Sequence, residues 1–254
     1  MGADDEGGVR SVLRAFDLLA LFTERRRTWS VKDLTEASGL AKTTVLRLVA
    51  TCEQRGLLWT GGDGRVTVGP GMLRWAQLAN SAWQPSEPVR QVMRELSERC
   101  GETVNLYVRG TTARVCVAQQ ESSRHLRHIV RVGDELPLWC GAASRVLLAG
   151  ADNDLLRRVA AASPDTTAQT LKERAAAALT DGFAVSHGER ELGASTVAAP
   201  VLDPGGTVLA ALTLGGPTAR FTPERVAEFV TAVTDAARRI SRIGLNPVAW
   251  EQSG

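Results

Sequence analysis

Few side chains in this sequence carry chemistry in a recognisable spacing. The three histidines, His125, His128 and His187, accompany neither a G-x-S-x-G nucleophile motif nor an H-E-x-x-H metal pair. The four cysteines, Cys52, Cys100, Cys116 and Cys140, are scattered and form no C-x-x-C pair, so neither a zinc site nor a disulfide framework is indicated. Gly61-Gly-Asp-Gly64 lacks the Lys-Ser/Thr of a phosphate-binding loop. No catalytic residue, metal or cofactor is therefore expected. The residues that do fall into a pattern are suited to reading a nucleic acid. Between Val31 and Leu58, Val45, Leu48, Val49 and Cys52 recur at helical spacing and turn towards a small core, while Thr43, Arg47, Ala50 and Gln54 share another face. A helix, a tight turn at Gly39 and this second, two-faced helix form the pattern of a helix-turn-helix whose second member enters the major groove. An ordinary helical hairpin gives the same pattern, so the flanking sequence has to decide.

Ser11 to Phe22 places Val12, Leu13, Phe16, Leu19 and Ala20 at helical spacing, which supplies a first helix to close a three-helix core. After Gly56, the run Leu57-Leu-Trp59, the Gly-rich turn Thr60 to Gly64 and Arg65-Val-Thr-Val68 predict a β-hairpin, or wing. Helix, helix-turn-helix and wing in that order favour a winged helix. Lys42, Arg47, Arg55, Arg65 and Arg74 face only Glu53 and Asp63 over this region, a local basic strip of the kind that meets a few phosphates. Arg25-Arg-Arg27, in the loop before the second helix, is either a further phosphate contact or a solvated charged run.

Gly69-Pro-Gly71 ends the wing, and Met72 to Trp83 reads as one helix closed by Gln84-Pro-Ser-Glu-Pro88, the character of an interdomain linker. Val89 to Arg99 forms an amphipathic helix terminated at Cys100-Gly101. The period then changes to alternation at Val104, Leu106 and Val108 and again at Val115 and Val117. Further strands are expected at 126–132, 183–186, 197–202 and 208–214, and helices at 142–148, 155–161 and 171–180. A last helix starts at Thr222 as N-cap with Pro223 behind it and buries Val226, Phe229, Val230, Val233, Ala237 and Ile240. The fold class is thus α+β, with residues 1–8 a flexible N-terminus, 9–69 a winged helix-turn-helix, 70–87 a linker helix, 88–246 a mixed α/β domain and 247–254 a flexible end.

At 254 residues, with 44% hydrophobic content, the chain suits one or two globular domains. A net charge of +2 argues against a globally basic nucleic-acid coat. No apolar run approaches the roughly 18 residues needed to span a bilayer, and no signal sequence opens the chain, so a cytoplasmic protein without a membrane partner is expected.

The residues resemble the IclR-type bacterial transcriptional regulators. Ser11 to Leu19, Gly39 to Val49 and Gln54-Arg-Gly-Leu57 resemble that family's winged helix. Leu136-Pro-Leu138, Gly182-Phe-Ala-Val185, Glu189-x-x-x-Gly193, Val197 to Asp203, Gly215-Gly-Pro217 and Arg220-Phe221 resemble its effector-binding domain. The similarity runs in order from about Val9 to Ile243. It implies a PAS/GAF-like C-terminal domain that binds a small metabolite, and a homodimer or dimer of dimers (a homotetramer) on a palindromic double-stranded DNA operator. By position it places Thr43, Thr44 and Arg47 at the groove and Lys42 and Arg65 near phosphates; Arg47 suits a bidentate contact to guanine. Leu46 stands where the family often carries a polar or aromatic residue. For the effector pocket it points to Leu136, Trp139, Ala142, Ala143, Ser186, Ala194, Thr196, Thr213 and Gly215, with His125 and His128 on the preceding strand. Those histidines are three residues apart, so a regular strand would turn them to opposite faces. The implied effector is a small organic acid, aromatic acids included. Trp139-Cys-Gly-Ala-Ala-Ser-Arg145 replaces a family stretch resembling His-Ala-Thr-Ala-x-Gly-Lys, which keeps open a constitutive regulator with a degenerate pocket. An enzyme carrying a regulatory winged helix is the remaining alternative, and no motif favours it.

Overall fold

The computed structural model describes residues 8–126 and 130–245. The chain divides into two compact units, Met1–Ser81 and Ala82–Gly254.

In the first unit, α1 (Arg10–Ala20), α2 (Val31–Ser38) and α3 (Lys42–Gln54) enclose a core that includes Leu18, Leu34, Val45, Val49 and Cys52. Ser30 opens α2 with a capping box: its hydroxyl accepts from Asp33 N–H at 3.1 Å and the Asp33 carboxylate accepts from Ser30 N–H at 3.4 Å. The helix closes on Gly39 in the left-handed region (φ 65°), where a Cβ is disfavoured, and the chain turns there into α3. The wing consists of β2 (Leu58–Thr60) and β3 (Val66–Val68), antiparallel, with Leu58 opposite Val68. A third strand, β1 (Thr28–Trp29), pairs with the other edge of β3, where the sequence suggests only a loop. Trp29 accounts for it. Its ring is a core member, and the Arg26 guanidinium stacks 3.4 Å from the ring centroid while pairing with Asp33 at 3.2 Å. Arg26 is therefore engaged in the fold of this unit. The helix α1 also differs from expectation: Leu18 is fully buried, whereas Val12, Leu13 and Phe16 are 47%, 36% and 62% exposed. Only the last turn of α1 reaches the small core, so most of its apolar stripe is left outside. Helix α4 (Met72–Trp83) follows and buries none of its residues.

The second unit is a six-stranded antiparallel sheet covered by helices on both faces. Its strands are β4 (Thr103–Arg109), β5 (Ala113–Gln120), β6 (Glu135–Pro137), β7 (Ala184–His187), β8 (Ala194–Leu202) and β9 (Val208–Pro217), in the order β6-β5-β4-β9-β8-β7. Alternation assigns the faces. Val104, Leu106, Val197, Leu212 and Leu214 pack against α5 (Glu87–Cys100) and α9 (Pro223–Ile243). Tyr107, Cys116, Ala198 and Ala211 pack on the other side with α6 (Ala142–Leu147), α7 (Asn153–Ala161) and α8 (Ala168–Asp181). Thr222 caps α9, accepting from Arg225 N–H, and Phe229, Val233, Ala237 and Ile240 are buried, with Val226 and Val230 partly so.

The strand expected at 126–132 is not found: among its described residues, Leu126 lies in a bend and Val130 to Val132 are in no strand. The edge strand is β6. A turn takes up the chain before it, since Cys116 N–H donates to Asp134 O at 3.0 Å, Gly133 N–H to Cys116 O at 2.8 Å and Arg131 N–H to the Asp134 carboxylate at 2.8 Å. Pro137, lacking an N–H, ends β6 and hides it from a sequence reading. Elsewhere the unit holds an ion pair on a buried carboxylate: half-buried Arg220 donates from Nε and Nη2 to the two Glu102 carboxylate oxygens at 2.6 and 2.7 Å. A Cβ on Gly216 would lie 2.2 Å from Glu102 Oε2, so this position has room for glycine alone. No described helix is long and apolar enough to cross a membrane.

Truncating Phe229 to alanine should cost about 3–5 kcal/mol, and removing the cap by Thr222→Ala about 1 kcal/mol. Both are read as lowered urea midpoints, and unchanged midpoints would contradict the packing and capping described for α9.

Candidate functional site

Two regions gather the residues singled out by sequence. On α3, Lys42, Thr43 and Arg47 are exposed and Thr44 is half-buried, on the side opposite Val45, Val49 and Cys52. Neither Lys42 nor Arg47 has an acidic partner among the described residues, so both charges are free to face an anion. No side chain caps the start of α3, and its leading N–H groups add partial positive charge beside Lys42. Leu46 is 46% exposed on the same surface. Arg65 stands at the wing, held by donation from Nε and Nη2 to Thr28 Oγ1 at 3.3 and 3.1 Å. A helix surface with open N–H groups, flanked by unpaired basic side chains, matches the phosphate and base contacts of a groove-reading helix.

The second region is a cavity of about 30 Å³ between the sheet and α6. Cross-strand register builds its floor: Ser186 lies opposite Thr196, Thr196 opposite Gly215, and Thr213 opposite Asn105. Leu136 on β6, Ala194 at the start of β8 and Ala142 and Ala143 on α6 complete the set expected from the sequence, eight of whose members line this one cavity. Ala142 N–H donates to Ser186 Oγ at 3.0 Å, which fixes the start of α6 over the sheet.

Two expected members stand elsewhere. Trp139 is half-buried against the core on the α6 side and lines a separate, smaller cavity with Leu171 and Arg174 of α8. His125 is exposed in the bend that takes the place of the expected strand. His128 lies outside the described residues.

The structure adds Asn105, Tyr107, Arg114 and the turn Glu189–Glu191 to the cavity wall. Arg114 is 5% exposed; its Nη1 donates to Pro137 O, to Cys140 O at 2.9 Å and to Ser144 Oγ at 2.5 Å. Burial lowers its pKa, yet an arginine remains charged at neutral pH. Burial likewise raises the pKa of Tyr107, which keeps its hydroxyl neutral. The signal for Asn105, Tyr107 and Arg114 was strand parity, since they are out of phase with Val104, Leu106, Val108 and Val115. Arg145 pairs with Glu189, whose second oxygen accepts from Gly141 N–H at 2.9 Å.

Comparison with known proteins gives the setting for both regions. Residues 11–60 match the description "IclR helix-turn-helix domain" and residues 86–242 match "Bacterial transcriptional regulator IclR C-terminal". The KdgR transcriptional regulator of Escherichia coli is 29% identical over 244 residues, covering 92% of each chain. A crystal structure of an IclR-family transcriptional regulator from Rhodococcus sp. is 47% identical, with a TM-score of 0.64, and covers 96% of this chain and 97% of that one. A second, from Silicibacter sp., is 27% identical with a TM-score of 0.77, covering 94% of this chain and 98% of that one.

None of the four cysteines is set up as a nucleophile. All are buried and free, and burial raises each thiol pKa, that of Cys116 to about 12. Cys140, beside the Arg114 guanidinium, is raised despite that neighbour's opposing pull. At neutral pH a thiol reagent such as Ellman's should therefore meet no fast-reacting site in the native protein and four sites after denaturation. A native thiol reacting at the rate of a free peptide cysteine would contradict this burial.

Proposed function

We propose that this chain, which belongs to the IclR family of bacterial transcriptional regulators, binds a palindromic operator as a homodimer or dimer of dimers and is controlled by a small molecule held between the sheet and α6. The exposed surface of α3 around Lys42 and Arg47, neither of which has an acidic partner among the described residues, carries the first half of that reading. Arg47 makes a bidentate contact to guanine, Thr43 and Thr44 meet a base methyl or a phosphate, and Lys42 and Arg65 hold backbone phosphates. Pairing of two chains follows from size, since one winged helix buries too little surface to be selective.

The cavity carries the second half. Its floor offers the hydroxyls of Ser186, Thr196 and Thr213 between the apolar walls of Leu136, Ala142 and Ala143, the mixture typical of a small-molecule site. Its size favours a second reading. At about 30 Å³ it has room for little more than water as it stands, which is what a constitutive regulator with a degenerate pocket would show. A thermal-shift screen separates the two, because a true effector raises the melting temperature by mass action and a constitutive regulator has none.

Electrophoretic mobility shift with the DNA upstream of the protein's own gene tests the output. Arg47→Ala should cost about 1–3 kcal/mol and relax selectivity at one base pair, whereas Lys42→Ala should weaken all sites alike and lower the salt slope by about 1. Unaltered binding by Arg47→Ala would remove this assignment of the reader.

A further inference from the structure

The surface that α3 offers to DNA is not uniformly polar. Thr43, Leu46 and Ala50 are all exposed, and their spacing of three and then four residues stacks them along one face of the helix. Lys42 and Arg47 border this strip on its two sides. Leu46 is its centre. It is 46% exposed and stands outside the core that holds Val45 and Val49. A lone exposed leucine is ordinary on a protein surface. This one lies between two basic side chains, on a helix whose start is uncapped and whose first turn carries no acidic residue. The surroundings attract a polyanion while the middle of the surface is hydrocarbon.

An apolar strip pressed into the major groove is selective about what it meets. Every base pair presents donors and acceptors there, and covering one with a hydrocarbon side chain removes its water without replacing the bond. The apolar group that unmodified DNA offers in that groove is the methyl of thymine. Neither Leu46 nor Ala50 can bond a base edge, so beside them hydrogen-bonded readout falls to Arg47. From Thr43 to Ala50 the strip runs about 10 Å along the helix, against a rise of about 3.4 Å per base pair. It therefore covers no more than about three base pairs, which keeps any methyl it meets close to the base that Arg47 contacts.

We propose that Leu46 is a specificity-determining residue: it reads the methyl group of a thymine within about two base pairs of the guanine contacted by Arg47. Ala50 and the methyl of Thr43 close the contact from either end of the strip. Burial of the thymine methyl against Leu46 supplies the preference, and any other base in that place sets a polar edge against the leucine. The proposal rests on α3 being the helix that reads DNA.

Selection from a randomised duplex pool by the full chain yields the site, and deoxyuridine, which lacks only the methyl of thymidine, tests the contact. In each half-site one thymine near a guanine should lose about fourfold in affinity when deoxyuridine replaces it, the effect of withdrawing one buried methyl. With Leu46→Ala the same replacement should change nothing, and selection by that variant should no longer enrich the thymine. Leu46 lies outside the core and the deoxyuridine change touches the DNA alone, so the comparison does not hang on a variant that fails to fold. Deoxyuridine tolerated at every position by the wild type, or a loss of equal size in wild type and Leu46→Ala, overturns the proposal. Arg47→Ala separates it from the reading beneath it. If the wild type enriches no sequence, or Arg47→Ala binds the selected site as tightly, α3 falls as the reader and the proposal falls with it. A guanine preference lost in Arg47→Ala, together with indifference to deoxyuridine, keeps the reader and removes only the role of Leu46.

Discussion

A charge taken out of water has to be met by an opposite charge or by several well-placed dipoles, and among the described residues the second unit contains one buried group of each kind. Glu102 is fully buried and receives both forks of Arg220. Arg114 has only dipoles: two carbonyls and a hydroxyl around Nη1. That difference has architectural weight. The dipoles belong to the 137–140 segment and to α6, so the guanidinium on β5 fixes where the helix begins. Ser186 and Glu189 pin the same helix start through Ala142 N–H and Gly141 N–H. The first turn of α6 is thus located by polar bonds, whereas Val146 and Leu147 further along are held by ordinary core packing.

The sheet makes this arrangement possible because both of its faces are covered. Along β4, Val104, Leu106 and Val108 go to the α5 and α9 side, and Asn105 and Tyr107 to the α6 side. In a sheet with one wet face, the second set would simply be solvated. Here helices cover it, and the polar members are left in a dry space where their bonding has to be complete or costly. Substituents of opposite sign therefore matter much more on the α6 face than the same groups would on the surface.

This also explains what could be read from the sequence and what could not. The helix-turn-helix and wing were legible because their signals are local: the turn at Gly39, the spacing of Val45, Val49 and Cys52, and the Gly-rich turn before Arg65. Strand β1 was hidden because it has two residues and is held by Trp29 from within the core. Strand β6 was hidden by Pro137, and the segment before it was given a strand that its described residues do not form. The exposed stripe of α1 was misjudged because apolar spacing says which face is apolar, not how much core is available to cover it. For the cavity, family-like segments pointed to eight lining residues, but Asn105, Tyr107 and Arg114 were passed over. Alternation marks their phase, yet only tertiary packing reveals that the phase faces inward.

The stretch from Trp139 to Arg145, where the chain departs from the pattern it resembles, bears on whether the cavity is a relic. A pocket drifting without selection would lose polar groups piecemeal and leave their former partners stranded. Two of the altered positions are instead partnered. Ser144 bonds the Arg114 guanidinium, and Arg145 pairs with Glu189 and reaches Val185 O at 2.7 Å. These contacts interlock, since Arg114 needs the Ser144 hydroxyl to remain buried and Glu189 needs Arg145 to remain in the wall. Arg114 Nε and Asn105 Oδ1, both buried without a partner, belong to residues that line one cavity, and Arg145 Nε is likewise buried without one. Any molecule that answers them changes the energy of the group that positions α6, and by linkage whatever α6 is coupled to must change that molecule's affinity in return.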